Sequence, residues 1–105
     1  VPAAATSNAN QLPIAYSLAQ NYPNPFNPST TINYELPVQS EVSIVIYDIL
    51  GQEVATLVSE VQTTGCKSII WNGTNKSGNQ VSAGMYLYKI QAGHFSQTRK
   101  MLLLK

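Results

Sequence analysis

The sequence is poor in charge, and this shortage excludes several kinds of partner. Charged residues make up only 10% of the 105 residues, and the net charge is +1. A nucleic-acid-binding domain needs a dense face of lysine and arginine, so we expect no nucleic-acid partner. A basic patch for binding membrane surfaces is equally unsupported. The apolar fraction of 44% still permits a folded core.

Cysteine and histidine occur once each, as Cys66 and His94, which limits covalent and metal chemistry. One cysteine cannot form an internal disulfide, and it cannot build a cysteine-based zinc site within one chain. Cys66 is interpreted as a small strand residue, with a reactive or intermolecular thiol as the alternative. We expect no metal ion and no cofactor.

The loop of residues 72–79 superficially resembles a calcium-binding loop. Such loops place carboxylates at alternating positions. Here Asn72 and Asn75 take the place of acids, and Lys76 adds a positive charge. Hydrogen bonding within the turn is therefore the favoured explanation for the asparagines.

The acidic residues do not indicate catalysis. Paired-carboxylate catalysis needs two acids that converge in a pocket, and a nucleophilic triad needs a histidine between a nucleophile and an acid. The five acids fall at predicted strand ends, turns and polar faces, and His94 falls in a predicted hairpin turn. We expect no enzymatic activity and no catalytic residue. The acids are Glu35, Glu41, Asp48, Glu53 and Glu60.

Proline and glycine divide the chain. All six prolines lie in the first 37 positions, and all six glycines lie after position 50. Residues 1–16 are small, polar and uncharged, which predicts a flexible linker or tail, and residues 17–105 form the predicted domain. The chain does not begin with methionine and shows no signal peptide, so we expect a fragment of a larger product or a processed form.

Short alternating apolar patterns predict β-strands throughout residues 17–105. In residues 41–48, Val42, Ile44 and Ile46 share one face, while Val45 and Tyr47 partly fill the other. Residues 52–58 are predicted to return as a hairpin arm with Val54 and Leu57 pointing inward. The other predicted strands are residues 18–25, 30–36, 66–71, 81–92 and 95–104. In residues 81–92, Tyr86, Tyr88 and Ile90 share one face.

About seven short strands separated by turn signals predict an all-β fold, an immunoglobulin-like antiparallel β-sandwich. No window shows the apolar spacing of a helix. Gly51 is expected to supply a positive φ in the turn after Asp48. Trp71 is expected to fill the core between the two sheets, without the disulfide of antibody domains.

Five ordered sequence blocks resemble the type A C-terminal sorting domains of the type IX secretion system. The first is LAQNYPNPFNPSTTINYELP at residues 18–37, and VSIVIYDILGQEVATL follows at residues 42–57. The others are the glycine-led WNGTN run from Gly65, AGMYLYKIQAG at residues 83–93, and RKMLLLK at residues 99–105. The chain is also similar, more loosely, to the immunoglobulin-like domain of flagellar hook-capping proteins.

The resemblance implies a non-catalytic secretion signal. A cargo protein attached at the N-terminal side would enter the periplasm and be recognised by the type IX outer-membrane translocon. A sortase-like peptidase would then remove the domain or anchor the cargo at the surface of a Gram-negative cell. The positions that match the family's recognition elements are Gly84, Tyr86, Lys100, Leu102, Leu104 and Lys105.

Two other functions stay open from the residues alone. One is a structural β-sandwich module or filament subunit that assembles by strand addition, since the last strand has lysines at both ends of an apolar run. Self-association through edge strands belongs to this alternative. The other is an accessory carbohydrate-binding module in which exposed aromatic side chains, such as Tyr22 and Phe26, stack on sugars.

Overall fold

The computed structural model describes residues 12–104, and within them the chain forms seven β-strands and no helix. The predicted all-β fold is therefore confirmed. None of the described residues forms a helix with the length and hydropathy needed to cross a membrane. Most of the predicted linker, residues 1–11, and the recognition candidate Lys105 lie outside the described residues. The strands are β1 (Ser17–Leu18), β2 (Thr30–Leu36), β3 (Ser40–Asp48), β4 (Glu53–Gln62), β5 (Gly65–Trp71), β6 (Gly84–Ala92) and β7 (Phe95–Leu103).

Two antiparallel sheets form the sandwich. The smaller sheet has the strand order β1-β2-β5, and the larger sheet has the order β4-β3-β6-β7. Each sheet turns one face to a shared core, because apolar residues alternate along the strands with polar or half-buried ones. The core residues are Leu18, Phe26, Ile32, Tyr34, Leu36, Val42, Ile44, Ile46, Ala55, Val58, Trp71, Tyr86, Tyr88, Ile90, Ala92, Met101 and Leu103.

Strand β3 lies at the centre of the larger sheet, as its dense β-branched sequence predicts. Val42, Ile44 and Ile46 are fully buried on the core face, whereas Val45 and Tyr47 are half-buried on the outer face. Asp48 ends the strand, and its Oδ1 accepts hydrogen bonds from the backbone N–H groups of Leu50 and Gln52, each at 2.9 Å. The predicted turn with a positive φ at Gly51 is confirmed, at +85°.

In strand β4 the fully buried residues differ from the two predicted to point inward. Ala55 and Val58 are buried, whereas Val54 and Leu57 are half-buried and pack against the core. The pairing with β3 skips Leu57 and Val54, since Ile44 pairs with Val58, Val45 with Thr56 and Tyr47 with Glu53. Each skipped residue is the extra residue of a β-bulge, and a bulge reverses the alternation that follows it.

Three strand boundaries differ from the prediction by more than one residue. The hairpin arm predicted to end at residue 58 continues to Gln62, because its polar end pairs with Ser40–Ser43 of β3. The strand predicted from residue 81 starts at Gly84, because the Val81 N–H bonds to the Gly73 carbonyl in the preceding loop. Of the edge strand predicted over residues 18–25, a two-residue strand and one isolated bridge from Tyr22 to Thr31 are formed.

Trp71 lies in the core between the sheets, as predicted, with 1% of its surface exposed. Its ring contacts Phe26 at a centroid distance of 5.8 Å and meets Tyr86 edge to face at 5.4 Å. The indole N–H donates a hydrogen bond to the Thr74 carbonyl at 2.9 Å. The tryptophan therefore joins both sheets and the following loop, with its one polar atom satisfied.

The loop after Trp71 is held by its own asparagines. Asn75 Oδ1 accepts hydrogen bonds from the backbone N–H groups of Ser77 and Asn79, at 2.9 and 3.0 Å. Gly73 and Gly78 adopt φ values of +75° and +84°, which glycine tolerates without a steric cost. Among the described residues, no group of three or more histidine, cysteine, aspartate or glutamate side chains could hold a metal ion.

We expect Gly73→Ala to destabilise the domain more than Gly78→Ala. Both positions have a positive φ, which costs a residue with a Cβ about 1–2 kcal/mol. A Cβ at Gly73 would also lie 3.2 Å from the Pro28 carbonyl oxygen, whereas nothing lies within 4 Å of one at Gly78. Urea unfolding of the two variants measures the difference, and equal losses would contradict the close packing of this loop on residue 28.

Candidate functional site

The recognition residues predicted by resemblance lie at one end of the larger sheet. Gly84 opens β6 and pairs with Leu103, while Leu102 pairs with Met85 and Lys100 with Leu87. Leu104 follows directly and is 46% exposed. Two sequence blocks that are separated along the chain therefore meet at this corner of the sandwich.

Tyr86 belongs to the same strand pair but faces inward. Its ring is buried against Trp71, and its hydroxyl donates a hydrogen bond to the Ser82 carbonyl at 2.6 Å. These are the contacts of a core residue that also fixes the start of β6. A role for Tyr86 in recognition stays a prediction.

The outer edge of β7 is occupied at its C-terminal end by an earlier part of the chain. The Phe26 N–H donates to the Leu102 carbonyl at 3.0 Å, and the Leu104 N–H donates to the Phe26 carbonyl at 2.8 Å. The Leu102 N–H donates to Asn24 Oδ1 at 3.0 Å. Both backbone groups of Leu102 that point away from β6 are therefore already bonded.

The same coverage extends back along β7. Gln20 Nε2 donates to the Lys100 carbonyl at 2.7 Å, and Arg99 Nε donates to the Leu18 carbonyl at 2.7 Å. We call residues 18–26 the edge segment. It covers the backbone edge of β7 from the Lys100 carbonyl to the Leu104 N–H, so this end of the strand is not open to strand addition in the folded domain.

Phe26 anchors the edge segment, which corrects its prediction as an exposed aromatic. Its ring is buried against Trp71, while its backbone bridges to Leu103 in parallel fashion. Tyr22, in the same segment, is 77% exposed. A buried phenyl ring cannot stack on a sugar, so half of the aromatic pair that favoured carbohydrate binding is lost.

A second anchor of the edge segment is the hydroxyl of Tyr88. It donates to the Ala19 carbonyl and accepts from the Asn21 N–H, both at 2.8 Å. Burial raises the pKa of Tyr88 above its usual value, although the Asn21 hydrogen bond and the Arg99 charge oppose the shift. The phenol therefore stays protonated in the folded state at a pH where it would ionise in the unfolded chain.

We expect stability to fall as the pH rises above about 10, where an unfolded tyrosine ionises. The pKa of Tyr88 is raised in the folded state, so its contribution is complete below that pH and is lost above it. Tyr34, whose pKa is raised mainly by burial, adds to the same trend. Urea unfolding between pH 8 and pH 11 measures it.

The matched variants for this profile are Tyr88→Phe and Tyr22→Phe. Tyr88→Phe should lose about 1–3 kcal/mol at pH 8, since two backbone groups lose their partner, and should show a shallower alkaline decline. Tyr22→Phe should leave the stability at pH 8 unchanged because this side chain is exposed. If the stability of Tyr88→Phe declines with pH as steeply as that of the wild type, the alkaline loss of stability cannot be assigned to Tyr88.

The outer face of the larger sheet carries an apolar patch at the same corner. We define the outer patch as Tyr47, Met85, Leu87 and Leu102. Register places Tyr47 beside Leu87 and Met85 beside Leu102. Met85 is 46% exposed, and the other three are half-buried. The sequence analysis named Leu102 but not Met85 or Leu87. A signal was present, because this part of β6 has apolar residues on both of its faces.

Lysines border the outer patch. Lys100 is exposed and pairs with Leu87, and Lys89 is half-buried and pairs with Val45. The one ion pair among the described residues lies elsewhere, between Lys76 Nζ and Glu53 Oε2 at 3.0 Å. The Thr56 hydroxyl, followed by Lys76, lowers the pKa of that glutamate. Within residues 12–104, the two lysines that border the patch therefore have no carboxylate partner.

An open groove of about 450 Å³ lies between β4 and β5. Trp71 lies at its floor but is buried, so its ring does not present a stacking surface. The Glu53–Lys76 ion pair lines the groove. The groove is therefore lined by both polar and apolar side chains, such as Asn72 and Leu57, and it lacks the exposed aromatic platform that a sugar site would use.

Cys66 is exposed on the outer face of β5, beside Glu35. Its thiol donates to Glu35 Oε2 at 3.6 Å. Partial desolvation, followed by the Glu35 carboxylate, raises the pKa of the thiol. A raised pKa reduces the thiolate fraction, which supports the interpretation of Cys66 as a strand residue rather than a reactive group.

Residues 26–94 match the model of the protein family described as the FlgD Ig-like domain. Among solved structures, FlgD from P. aeruginosa is 28% identical with a TM-score of 0.56, over 70% of this chain and 58% of that one. No curated protein matches the chain. The immunoglobulin-like fold and the looser of the two sequence resemblances are confirmed.

Two proteins from Porphyromonas gingivalis share the fold. Dimeric latent PorU is 24% identical with a TM-score of 0.68, over 81% of this chain and 9% of that chain. PorZ, described as an essential surface component of the type IX secretion system, is 22% identical with a TM-score of 0.59, over 94% and 13%. This chain thus spans a small part of either protein.

Proposed function

The chain belongs to the FlgD Ig-like domain family. On the sequence blocks that resemble type IX sorting domains, we propose that it is a C-terminal sorting domain of the type IX secretion system. In this proposal the domain is non-catalytic, and it directs a cargo protein attached at its N-terminal side across the outer membrane. Its partners are the outer-membrane translocon and a sortase-like peptidase. The cargo ends in the medium or at the cell surface.

One observation carries the proposal. Four residues that match the recognition elements of type IX sorting domains lie together at one corner of the sandwich, although they come from two separate sequence blocks. They are Gly84, Lys100, Leu102 and Leu104. A shared site explains why both blocks would be needed for one function. The similarity to PorZ, a type IX surface component by its description, supports the same system.

A reporter fusion tests the proposal. The full chain is placed after a periplasmic signal peptide and a folded reporter, in a type IX-competent cell and in the same cell without the translocon. We expect the reporter at the surface or in the medium of the competent cell alone. Periplasmic retention of a well-folded fusion in both cells would refute the proposal.

A structural module is the second candidate, because the chain also matches 58% of FlgD, which is not described as a type IX component. A filament subunit that assembles by strand addition would need an open edge. The edge segment covers the edge of β7 from the Lys100 carbonyl to the Leu104 N–H, which leaves other edges for this role. Light scattering at rising concentration distinguishes the candidates, since a monomer at all concentrations counts against the structural module.

A further inference from the structure

We propose that the export machinery binds the outer patch of the larger sheet, with its bordering lysines, rather than adding a strand to β7. The proposal rests on the proposed function for the identity of the partner. The partner surface is a folded protein surface that presents apolar side chains flanked by carboxylates. Recognition is then by side chains on a sheet face, not by backbone pairing.

The outer edge of β7 is not free at its C-terminal end. Strand addition requires free N–H and C=O groups along the receiving edge. Here Asn24 and Phe26 bond the N–H and C=O groups of Leu102, and Gln20 bonds the carbonyl of Lys100. A partner that added a strand here would have to remove the edge segment together with the buried ring of Phe26.

The outer faces of the two sheets differ in composition. The outer face of the smaller sheet carries Asn33, Glu35 and Ser68, with Ile70 as its exposed apolar residue. The outer patch instead places four apolar side chains together on the larger sheet. Such a contiguous apolar area, rimmed by charge, is typical of a protein-binding surface.

The two lysines beside the outer patch favour a protein partner that carries carboxylates. Lys89 and Lys100 lie on the face of the outer patch, and neither forms an ion pair within the described residues. A second copy of the chain placed face to face would oppose these lysines to one another, which disfavours a dimer. Two lysines and a net charge of +1 are also too few for firm adsorption to an anionic membrane.

Matched variants test the proposal in the reporter fusion. Met85→Ser and Lys100→Glu alter the outer patch, and Ile70→Ser and Ser68→Glu introduce the same residue types on the outer face of the smaller sheet. Each is surface-exposed or half-buried, so all four should keep the wild-type thermal midpoint. We expect each patch variant to reduce surface delivery about tenfold, and we expect the control variants and Lys100→Arg to deliver as the wild type does.

The outcomes separate this proposal from the proposed function. If the wild-type fusion stays in the periplasm, the sorting function itself fails. If the wild type is delivered and the folded patch variants are delivered equally well, docking on the outer patch is overturned. Light scattering that shows a dimer lost in Met85→Ser, or Lys100-dependent binding to phosphatidylglycerol vesicles, would also overturn it in favour of a second copy or a membrane.

Discussion

Phe26→Ala should lower the free energy of unfolding by about 3–5 kcal/mol, the usual range for a buried phenylalanine. The ring is 2% exposed and packs on Trp71, so its removal leaves a cavity between the sheets. The same residue donates to and accepts from the end of β7 through its backbone. The loss should therefore also loosen the edge segment from β7.

Urea unfolding followed by circular dichroism measures the stability of this variant. Tyr22→Ala is the matched control, because it truncates an exposed aromatic in the same segment and should change stability by less than about 0.5 kcal/mol. Equal effects of the two substitutions would mean that the edge segment is not anchored by the phenyl ring.

Trp71→Ala should have an effect of similar or greater size, about 3–5 kcal/mol. The variant loses contacts with both Phe26 and Tyr86 and leaves the Thr74 carbonyl without its indole donor. Since small domains have a total stability of about 5–15 kcal/mol, this loss is a large share of it and should lower the thermal midpoint by more than about 10 °C.

Thermal unfolding followed by circular dichroism tests this expectation without relying on the fluorescence of the removed indole. Trp71→Phe should lose less, because a phenyl ring keeps part of the packing but not the hydrogen bond. Ile70→Ala, one residue away but 63% exposed, is the control. A tryptophan variant as stable as that control would contradict a core that depends on the Phe26–Trp71–Tyr86 cluster.

Much of the fold follows from local alternation in the sequence. Val42, Ile44 and Ile46 in β3, and Tyr86, Tyr88 and Ile90 in β6, are predicted on one face of their strands and are buried there. These strands pair regularly with each other, so nothing interrupts the two-residue period. The buried position of Trp71 follows from the same reasoning in β5.

Alternation failed where pairing is irregular. Val54 and Leu57 are more apolar than Ala55, yet the bulges at their positions turn Ala55 and Val58 inward. A bulge depends on how the partner strand aligns, and that alignment is a tertiary property without a signal in the strand itself.

The candidate site was only partly predictable for a similar reason. Leu102 and Lys100 followed from the resemblance of the last block, but Met85 and Leu87 enter the outer patch through pairing with β7. The burial of Phe26 depends on residues more than 40 positions away, such as Trp71. A segment rich in proline has no period that could indicate which of its aromatics turns inward.

Hydrogen–deuterium exchange of the backbone amides at the end of β7 tests the central claim most directly. If the edge segment closes this edge, the amides of Leu102 and Leu104 should exchange as slowly as the core amides of β6. Their exchange should then require global unfolding of the domain. In Phe26→Ala they should exchange faster while β6 stays protected. Exchange of these two amides in the wild type at the rate of exposed loops would mean that the edge is open, and recognition by strand addition would replace docking on the outer patch.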